Sequence, residues 1–228
     1  RLVFVSSDMV FDGEKAPYCE EDGTRPLNVY GKSKFAAEQF VKSVCSDIVI
    51  ARAALVYGSP VTGSNSFSAK IEERLRNGTG MNLFYDQFRT PVLVQSLAAA
   101  LIELSDNAFQ GVIHLGGAER TDRYTFGLRL AELKGLNADL LHPVSMKELP
   151  PQARRPADVS LDISLAENIL EVTKLVDIVF WPVALDFKRK DVEAMKDGSI
   201  LVTFINGAVR TSEQEEMAEN NIRLNVIG

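Results

Sequence analysis

Tyr30 and Lys34 are the two side chains in this sequence best suited to proton chemistry, because they stand four positions apart where a helix is predicted to begin. That spacing puts both on one helix face, about one turn apart. A free phenol has a pKa of about 10 and exchanges protons poorly at neutral pH. A neighbouring ammonium favours the phenolate and lowers that pKa, which suits a general acid or base. The pair therefore predicts acid–base catalysis by Tyr30.

Ser7 extends this pair into a candidate catalytic set. It follows an apolar run at residues 1–5 that is typical of a buried strand, and active sites of open α/β sheets lie at the carboxyl ends of strands. Ser7 could there hold a substrate oxygen beside Tyr30. The pair alone is weak evidence, since chance would produce one Tyr-x-x-x-Lys in roughly four chains of this composition. A serine hydrolase is disfavoured, because the sequence has no Gly-x-Ser-x-Gly turn.

The composition is that of an ordinary folded domain. The 228 residues are 46% hydrophobic and 25% charged, with no apolar run long enough to span a membrane and no signal-peptide pattern. The formal net charge of −6 argues against nucleic acid as a partner. The two cysteines lack CxxC spacing and indicate a reducing, cytoplasmic compartment. Two histidines are too few for a histidine-rich metal site, so we expect no bound metal.

Strand-like and helix-like segments alternate along the chain, which predicts an α/β fold with a parallel sheet. Segment 28–44 has helical spacing, and 48–57 is a second buried strand. Further helices are predicted at 65–76, 95–104 and 124–134, and further strands at 81–85, 91–94 and 111–115. His114 lies within an apolar strand and is expected to be a packed core residue.

The last third has a different pattern and predicts a separate βαβαβ tail. Its strands are predicted at 176–180, 199–205 and 222–227, and its helices at 188–196 and 211–220. Helical connections between strands favour parallel pairing. We place the boundary near Thr173, which gives domains at 1–173 and 174–228.

Several motifs, in the same order, resemble those of extended short-chain dehydrogenase/reductases, in particular the dTDP-4-dehydrorhamnose reductase branch. The first is Val-Ser-Ser-Asp-Met-Val-Phe-Asp-Gly at 5–13, and the second is Pro-Leu-Asn-Val-Tyr-Gly-Lys-Ser-Lys at 26–34, followed by Ala37-Glu38. Later matches lie at 50–52, 56–58, 89–94, 111–117 and 155–162. The resemblance covers roughly residues 1–170. It implies an incomplete Rossmann-like parallel sheet with a small substrate subdomain.

The resemblance implies reduction of a keto group on a nucleotide-linked sugar, with NADPH or NADH as cofactor. Tyr30 would be the catalytic acid, Lys34 would bind the nicotinamide ribose, and Ser7 would bind the reacting carbonyl. The implied cofactor contacts are Tyr30, Lys34, Ser6 and Arg52, and the implied substrate contacts are Ser7, Met9 and Arg155. Arg154 and Arg155 could clamp a diphosphate; a solvated loop pair is the alternative.

The sequence also departs from the family pattern. The Gly-x-x-Gly-x-x-Gly phosphate loop occurs nowhere in the 228 residues, so we expect the strands that carry it to be missing and activity to be impaired. Met9 replaces the usual aromatic residue, which affects substrate preference. Some relatives with these motifs, such as the regulatory subunit of methionine adenosyltransferase, are not enzymes, and a regulatory or binding protein is the alternative. Exposed sheet edges predict marginal stability or association, including a homodimer.

Residues from 175 onward do not resemble this family. They are similar instead to part of the N-terminal domain of the NAD(P) transhydrogenase α subunit, which also resembles alanine dehydrogenase. This likeness covers about fifty residues. Because βαβαβ segments are common, chance likeness is the alternative to a fusion of two incomplete dehydrogenase segments.

Overall fold

The computed structural model describes residues 1–58, 66–148 and 155–171, together with short strands at 192–194, 200–202 and 223–224. The chain divides into two compact units, Arg1–Phe180 and Trp181–Gly228. The predicted boundary near Thr173 lies outside the described residues. All the predicted site residues belong to the first unit.

The described part of the first unit alternates between short strands and helices. Its strands are β1 (Leu2–Ser7), β2 (Ile48–Ala53), β3 (Val56–Tyr57), β4 (Met81–Phe84), β5 (Phe88–Arg89), β6 (Val92–Leu93), β7 (Gly111–Leu115), β8 (Thr121–Asp122) and β9 (Leu141–Val144). Its helices are α1 (Val29–Val44), α2 (Phe67–Arg76), α3 (Val94–Asp106), α4 (Arg123–Lys134) and α5 (Ser164–Ile169). None of these helices is long and apolar enough to cross a bilayer.

A parallel sheet of β1, β2 and β7, with β2 in the middle, forms the centre of this unit. Every residue of β2 is buried, as expected for a parallel strand covered on both faces. Alternate residues of a strand point to opposite faces. Val49 and Ala51 pack in one apolar cluster with Leu97 of α3, whereas Arg52 meets Glu38 of α1. The sheet is therefore held between helices of different character, one side apolar and the other partly charged.

A smaller lobe is built on a second apolar cluster from α2, α4, β4 and β9. Ile71, Leu83, Phe126 and Leu141 are all buried there. β4 pairs with β9 in parallel, and β5 pairs with β8 antiparallel. Because the β5–β8 pair joins distant parts of the sequence, it brings the start of α4 close to residue 89.

The predicted α/β class and parallel central sheet are confirmed, and the four long helices begin and end within two residues of their predicted bounds. The prediction of one strand over 48–57 is wrong. The backbone N–H of Ala54 donates to Leu115 of β7, and the next carbonyl, of Leu55, accepts from Val92 of β6. The chain changes partner strand at this point, which divides the run into β2 and β3.

The second unit corrects the predicted tail. Its described strands are β10 (Val192–Ala194), β11 (Ile200–Val202) and β12 (Arg223–Leu224), and each adjacent pair is antiparallel. Residues 192–194 were predicted to be helical and the strands parallel, and both predictions are wrong. The short segment 195–199 can connect antiparallel strands but not parallel ones, which need a long crossover. The elements predicted at 176–180 and 211–220 lie outside the described residues.

Candidate functional site

β1 ends in a tight turn that buries two consecutive polar residues, Ser7 and Asp8. The hydroxyl of Ser7 donates to Oδ1 of Asp8 at 3.0 Å and accepts from the backbone N–H of Met9 at 3.2 Å. Burial raises the pKa of Asp8, although the nearby Arg89 guanidinium and the Ser7 hydrogen bond oppose the shift. This turn lies at the carboxyl end of a parallel strand, where sites in α/β sheets form.

Helix α1 begins against this turn. Asn28 caps the helix by accepting a hydrogen bond from the backbone N–H of Gly31 at 2.8 Å. A Cβ atom at Gly31 would lie 2.1 Å from the carbonyl oxygen of Met9 and 2.9 Å from Cβ of Pro26. Only glycine permits so close an approach, so Gly31 fixes Tyr30 at the contact between the helix and the turn.

Tyr30 and Lys34 share one face of α1, as the sequence predicts. The Tyr30 side chain is 53% exposed, so its phenol is accessible to a ligand. Nζ of Lys34 lies 6.0 Å from the centroid of the Tyr30 ring and 5.4 Å from that of Phe4. The same ammonium donates to the carbonyl of Val5 in β1 at 3.0 Å. Lys34 therefore links the first turns of α1 to the strand that carries Ser7.

A cleft of about 370 Å³ opens beside Tyr30. Its lining includes Met9, Tyr30 and three arginines, Arg89, Arg123 and Arg155, and Nη2 of Arg89 lies 3.8 Å from the sulfur of Met9. None of the described residues in its lining is acidic. The cleft therefore combines one phenol with three guanidinium groups, an arrangement that favours an anionic ligand.

Three different segments position these arginines. Arg89 ends β5 and is buried, and Arg123 is the first residue of α4, whose cap is Asp122. Nε of Arg123 donates to Oε1 of Gln87 at 3.1 Å. Burial, reinforced by the positive charges of Arg89 and Arg155, lowers the pKa of Arg123 to about 10. A bound anion would relieve this repulsion.

The carbonyls of the adjoining loop hold Arg89. Its Nη1 donates to the carbonyls of Phe88 at 2.5 Å and Ala157 at 3.4 Å, and its Nη2 donates to that of Pro156 at 3.4 Å. Its Nε lies 3.6 Å from Oδ2 of Asp8. Arg89 thus connects the turn after β1 to the loop that carries Arg155.

Ser6 and Arg52 point into a buried network around Glu38 of α1, which is completely inaccessible to solvent. The Ser6 hydroxyl donates to Oε1 of Glu38 at 2.5 Å, and Arg52 donates from Nε to Oε1 at 3.1 Å and from Nη2 to Oε2 at 2.9 Å. These bonds attach α1 to β1 and β2. The predicted contact of Ser6 and Arg52 with a cofactor stays a prediction, since the structure commits both side chains to Glu38.

The structure brings together Met9, Tyr30 and Arg155 from the predicted set, with Lys34 on the same helix face and Ser7 hydrogen-bonded to the Met9 amide. Arg154 lies outside the described residues. Sequence reasoning missed Arg89 and Arg123 as site residues, because only the β5–β8 pairing brings them together. No group of potential metal ligands is present in the part of the chain that the structure describes.

His114 is fully buried, as predicted. Its Nδ1 lies 3.1 Å from the carbonyl oxygen of Tyr18, and its ring packs edge-on against Phe11. Its Cα is directly opposite Arg52 in the register of the sheet. Burial and the Arg52 charge lower the pKa of His114 to about 4, so it is neutral at pH 7. It is a core residue and is not among the residues that line the cleft.

Comparison with known proteins agrees with the family resemblance of the sequence motifs in the first unit. Residues 1–175 match the family model described as the RmlD substrate binding domain. A dTDP-4-dehydrorhamnose reductase of Sinorhizobium fredii is 33% identical over 180 residues, covering 73% of this chain and 59% of that protein. A methionine adenosyltransferase 2 subunit beta of Danio rerio is 27% identical over 172 residues, covering 73% of this chain and 53% of that protein.

A solved structure supports the same fold. The dTDP-4-dehydrorhamnose reductase of Bacillus anthracis in complex with NADP aligns with a TM-score of 0.70 and 25% identity, covering 77% of this chain and 62% of that one. The chain thus spans little more than half the length of these curated relatives. The resemblance predicted from the motifs is confirmed, and the chain belongs to the RmlD substrate binding domain family, whose relatives include the dTDP-4-dehydrorhamnose reductases.

Proposed function

We propose that this chain carries the substrate-binding and proton-donating part of a reductase that acts on a keto group of a nucleotide-linked sugar. The observation that carries the proposal is the cleft, whose lining an exposed phenol shares with three arginines. Arg89, Arg123 and Arg155 carry more positive charge than Asp8 alone balances. A nucleoside diphosphate would supply the missing negative charge, and a sugar attached to it would extend toward Tyr30.

In this proposal, Tyr30 donates a proton to the oxygen of the substrate carbonyl as that oxygen gains charge. Lys34 is anchored to Val5 through one N–H, and an ammonium carries three, so the others can bind ribose hydroxyls or stabilise a phenolate. Gly31 and Asn28 keep Tyr30 at the mouth of the cleft. These residues bind, orient and move a proton, and none of them can supply a hydride.

NADPH or NADH would supply that hydride when bound. The residues present fit the nicotinamide–ribose end of such a cofactor, because the Lys34 ammonium lies beside Tyr30 and binds the carbonyl of Val5, two residues before β1 ends. They do not provide for its pyrophosphate, since the glycine-rich spacing is absent from the 228 residues. We therefore propose cofactor contacts at Tyr30 and Lys34.

The alternative is a regulatory or binding protein of the same fold. Relatives named methionine adenosyltransferase 2 subunit beta match nearly the same length of chain as the reductases do, which favours this second candidate. The two functions differ in what they require of Tyr30. A reductase needs the phenolic proton of Tyr30, whereas a binding protein needs only an aromatic ring of the same size at this position.

Replacing one oxygen atom separates these functions. In Tyr30→Phe, NADPH-dependent reduction of dTDP-4-dehydrorhamnose by the 228-residue chain should fall by a factor of about 10² to 10⁴, the usual contribution of a general acid. Tyr85→Phe is the matched control, because Tyr85 is similarly exposed and lies outside the cleft lining. A slow reduction by the unaltered chain is sufficient, because the result is the ratio of its rate to that of Tyr30→Phe. Equal rates in a folded Tyr30→Phe chain would exclude the reductase proposal and favour a binding protein.

A further inference from the structure

Asp8 is a buried carboxylate with two differently placed oxygens. Oδ1 accepts the Ser7 hydroxyl at 3.0 Å. Oδ2 is buried without a hydrogen-bond partner among the described residues, and its neighbour is Nε of Arg89 at 3.6 Å. Neither the proton-transfer role of Tyr30 nor the anion-binding role of the arginines uses this carboxylate.

The hydrogen bonds of Ser7 define what its hydroxyl can do. While Asp8 is ionised, the Ser7 hydroxyl donates its single proton to Oδ1 of Asp8 and accepts the Met9 amide N–H with one lone pair. One lone pair remains, so Ser7 can only accept a hydrogen bond from a ligand. It is set to receive the proton of an alcohol and cannot donate to a carbonyl.

Protonation of Asp8 reverses this role. A guanidinium carries donors and no acceptor, so Oδ2 stays unprotonated toward Arg89 and the proton belongs on Oδ1. Protonated Oδ1 then donates to Ser7. Both lone pairs of Ser7 are now used, one by Asp8 and one by Met9, and its own proton is released to donate to a ligand oxygen.

We propose that Asp8 is a positioning residue that decides whether Ser7 accepts from an alcohol or donates to a carbonyl. The proposal rests on the proposed function, since it concerns the same substrate oxygen. Two charged groups face Asp8: Arg89 from β5 and Arg123 from α4. On α1, Glu38 is hydrogen-bonded to Ser6 and Arg52, and Tyr30 lines the cleft together with Met9. Burial raises the pKa of Asp8, so this carboxylate takes up a proton at a higher pH than an exposed aspartate does.

The experiment compares the dissociation constants of two ligands that carry the same diphosphate. Any effect of pH on binding of the diphosphate by the arginines is then common to both ligands and cancels in their ratio. Calorimetry gives the dissociation constants of the 228-residue chain for dTDP-rhamnose, an alcohol, and for dTDP-4-dehydrorhamnose, the corresponding ketone. Both probes carry the same diphosphate. In the unaltered chain, the preference should shift toward the ketone by about tenfold, the value of one neutral hydrogen bond, as the pH is lowered from about 8 and Asp8 takes up its proton.

Variants assign the effect to Asp8. In Asp8→Asn, the amide oxygen faces Arg89 and the NH₂ group donates to Ser7, so the ratio should favour the ketone at every pH. Ser7→Ala should make the ratio independent of pH. Asp158→Asn is the matched control, because Asp158 also faces Arg89 but binds Ser160 and Arg120, and it should keep the pH dependence of the unaltered chain.

Each outcome is decisive. A ratio that does not change with pH in the unaltered chain overturns the proposal, and this measurement needs no variant to fold. An Asp8→Asn ratio equal to that of the unaltered chain at pH 8 also overturns it. If both probes and free dTDP bind while the ratio stays constant, only the role of Asp8 fails. If a folded chain binds none of them, the proposed function fails as well.

Discussion

Two neighbouring serines bind two buried carboxylates, and the two carboxylates are paired to very different extents. Glu38 receives Ser6 and two bonds from Arg52, so both of its oxygens are satisfied. Asp8 receives Ser7 on one oxygen only. Ser6 and Glu38 are buried between α1 and the sheet. Ser7 and Asp8 are also buried, but they contact Met9 and Arg89, which line the open cleft.

The difference separates a structural network from a functional one. A buried carboxylate whose two oxygens are both hydrogen-bonded holds elements together and has no acceptor left for a ligand; in this network only Nη1 of Arg52 has no hydrogen-bond partner among the described residues. A carboxylate with an unpaired oxygen, next to arginines that outnumber it, retains bonding capacity at the cost of stability. Adjacent residues of one strand can serve both purposes because their side chains point to opposite faces.

Removal of Glu38 should have the largest effect on stability. Glu38→Ala leaves Arg52 buried without a counter-charge, and loss of one partner from such a pair costs about 3–5 kcal/mol. Urea unfolding followed by circular dichroism measures the loss. If the network is structural, the double variant Glu38→Leu, Arg52→Met should recover most of that free energy, because no unpaired charge remains.

The same comparison makes a prediction for the cleft. Arg123→Gln removes one of several like charges, so it should change the free energy of unfolding by much less than Glu38→Ala does. A loss in Arg123→Gln as large as that in Glu38→Ala would mean that the cleft arginines are structural, and the contrast between the two regions would be lost.

His114 should give a smaller, pH-dependent effect. Its pKa is lowered to about 4 from an ordinary 6.5, so the unfolded chain takes up this proton first as pH falls. The stabilisation is therefore complete above about pH 6.5 and is lost toward pH 4, about 2 kcal/mol between pH 7 and 4.5.

Urea unfolding of the unaltered chain and of His114→Gln at the two pH values isolates this contribution, because only the difference in pH dependence is compared. Carboxylates with lowered pKa values, such as Asp158 and Asp162, stabilise the fold at pH values above their ordinary pKa of 3.8. Their contribution is lost only below that pH, outside the range from pH 7 to 4.5. An equal pH dependence in the two proteins would contradict the assignment.

The sequence predicted the parts of the site that local rules govern. Tyr30 and Lys34 were found from a four-residue spacing, and the start of α1 from the pattern around Asn28. Asp8 and Glu38 stood inside the quoted motifs, but nothing in a linear sequence shows which polar residue is buried or what it binds.

The remaining part depends on long-range pairing. Arg89 and Arg123 converge because Arg89 lies opposite Thr121 in the β5–β8 pair, and strands of two residues leave almost no periodic signal. The prediction of a helix at 192–194 was wrong for a related reason. These residues form a strand because they pair with β11, and the local sequence pattern does not show that pairing.

The most direct test of the account is calorimetric titration of the 228-residue chain with dTDP, compared with Arg123→Gln. The unaltered chain should bind one dTDP, more weakly at high salt, and Arg123→Gln should bind it about tenfold more weakly, since a charged hydrogen bond is lost. Arg120→Gln is the control, because Arg120 is exposed, pairs with Asp158 and stands outside the cleft lining. A folded chain that binds no dTDP, or binds it equally well in Arg123→Gln, would contradict the assignment of the cleft to a nucleotide-linked substrate.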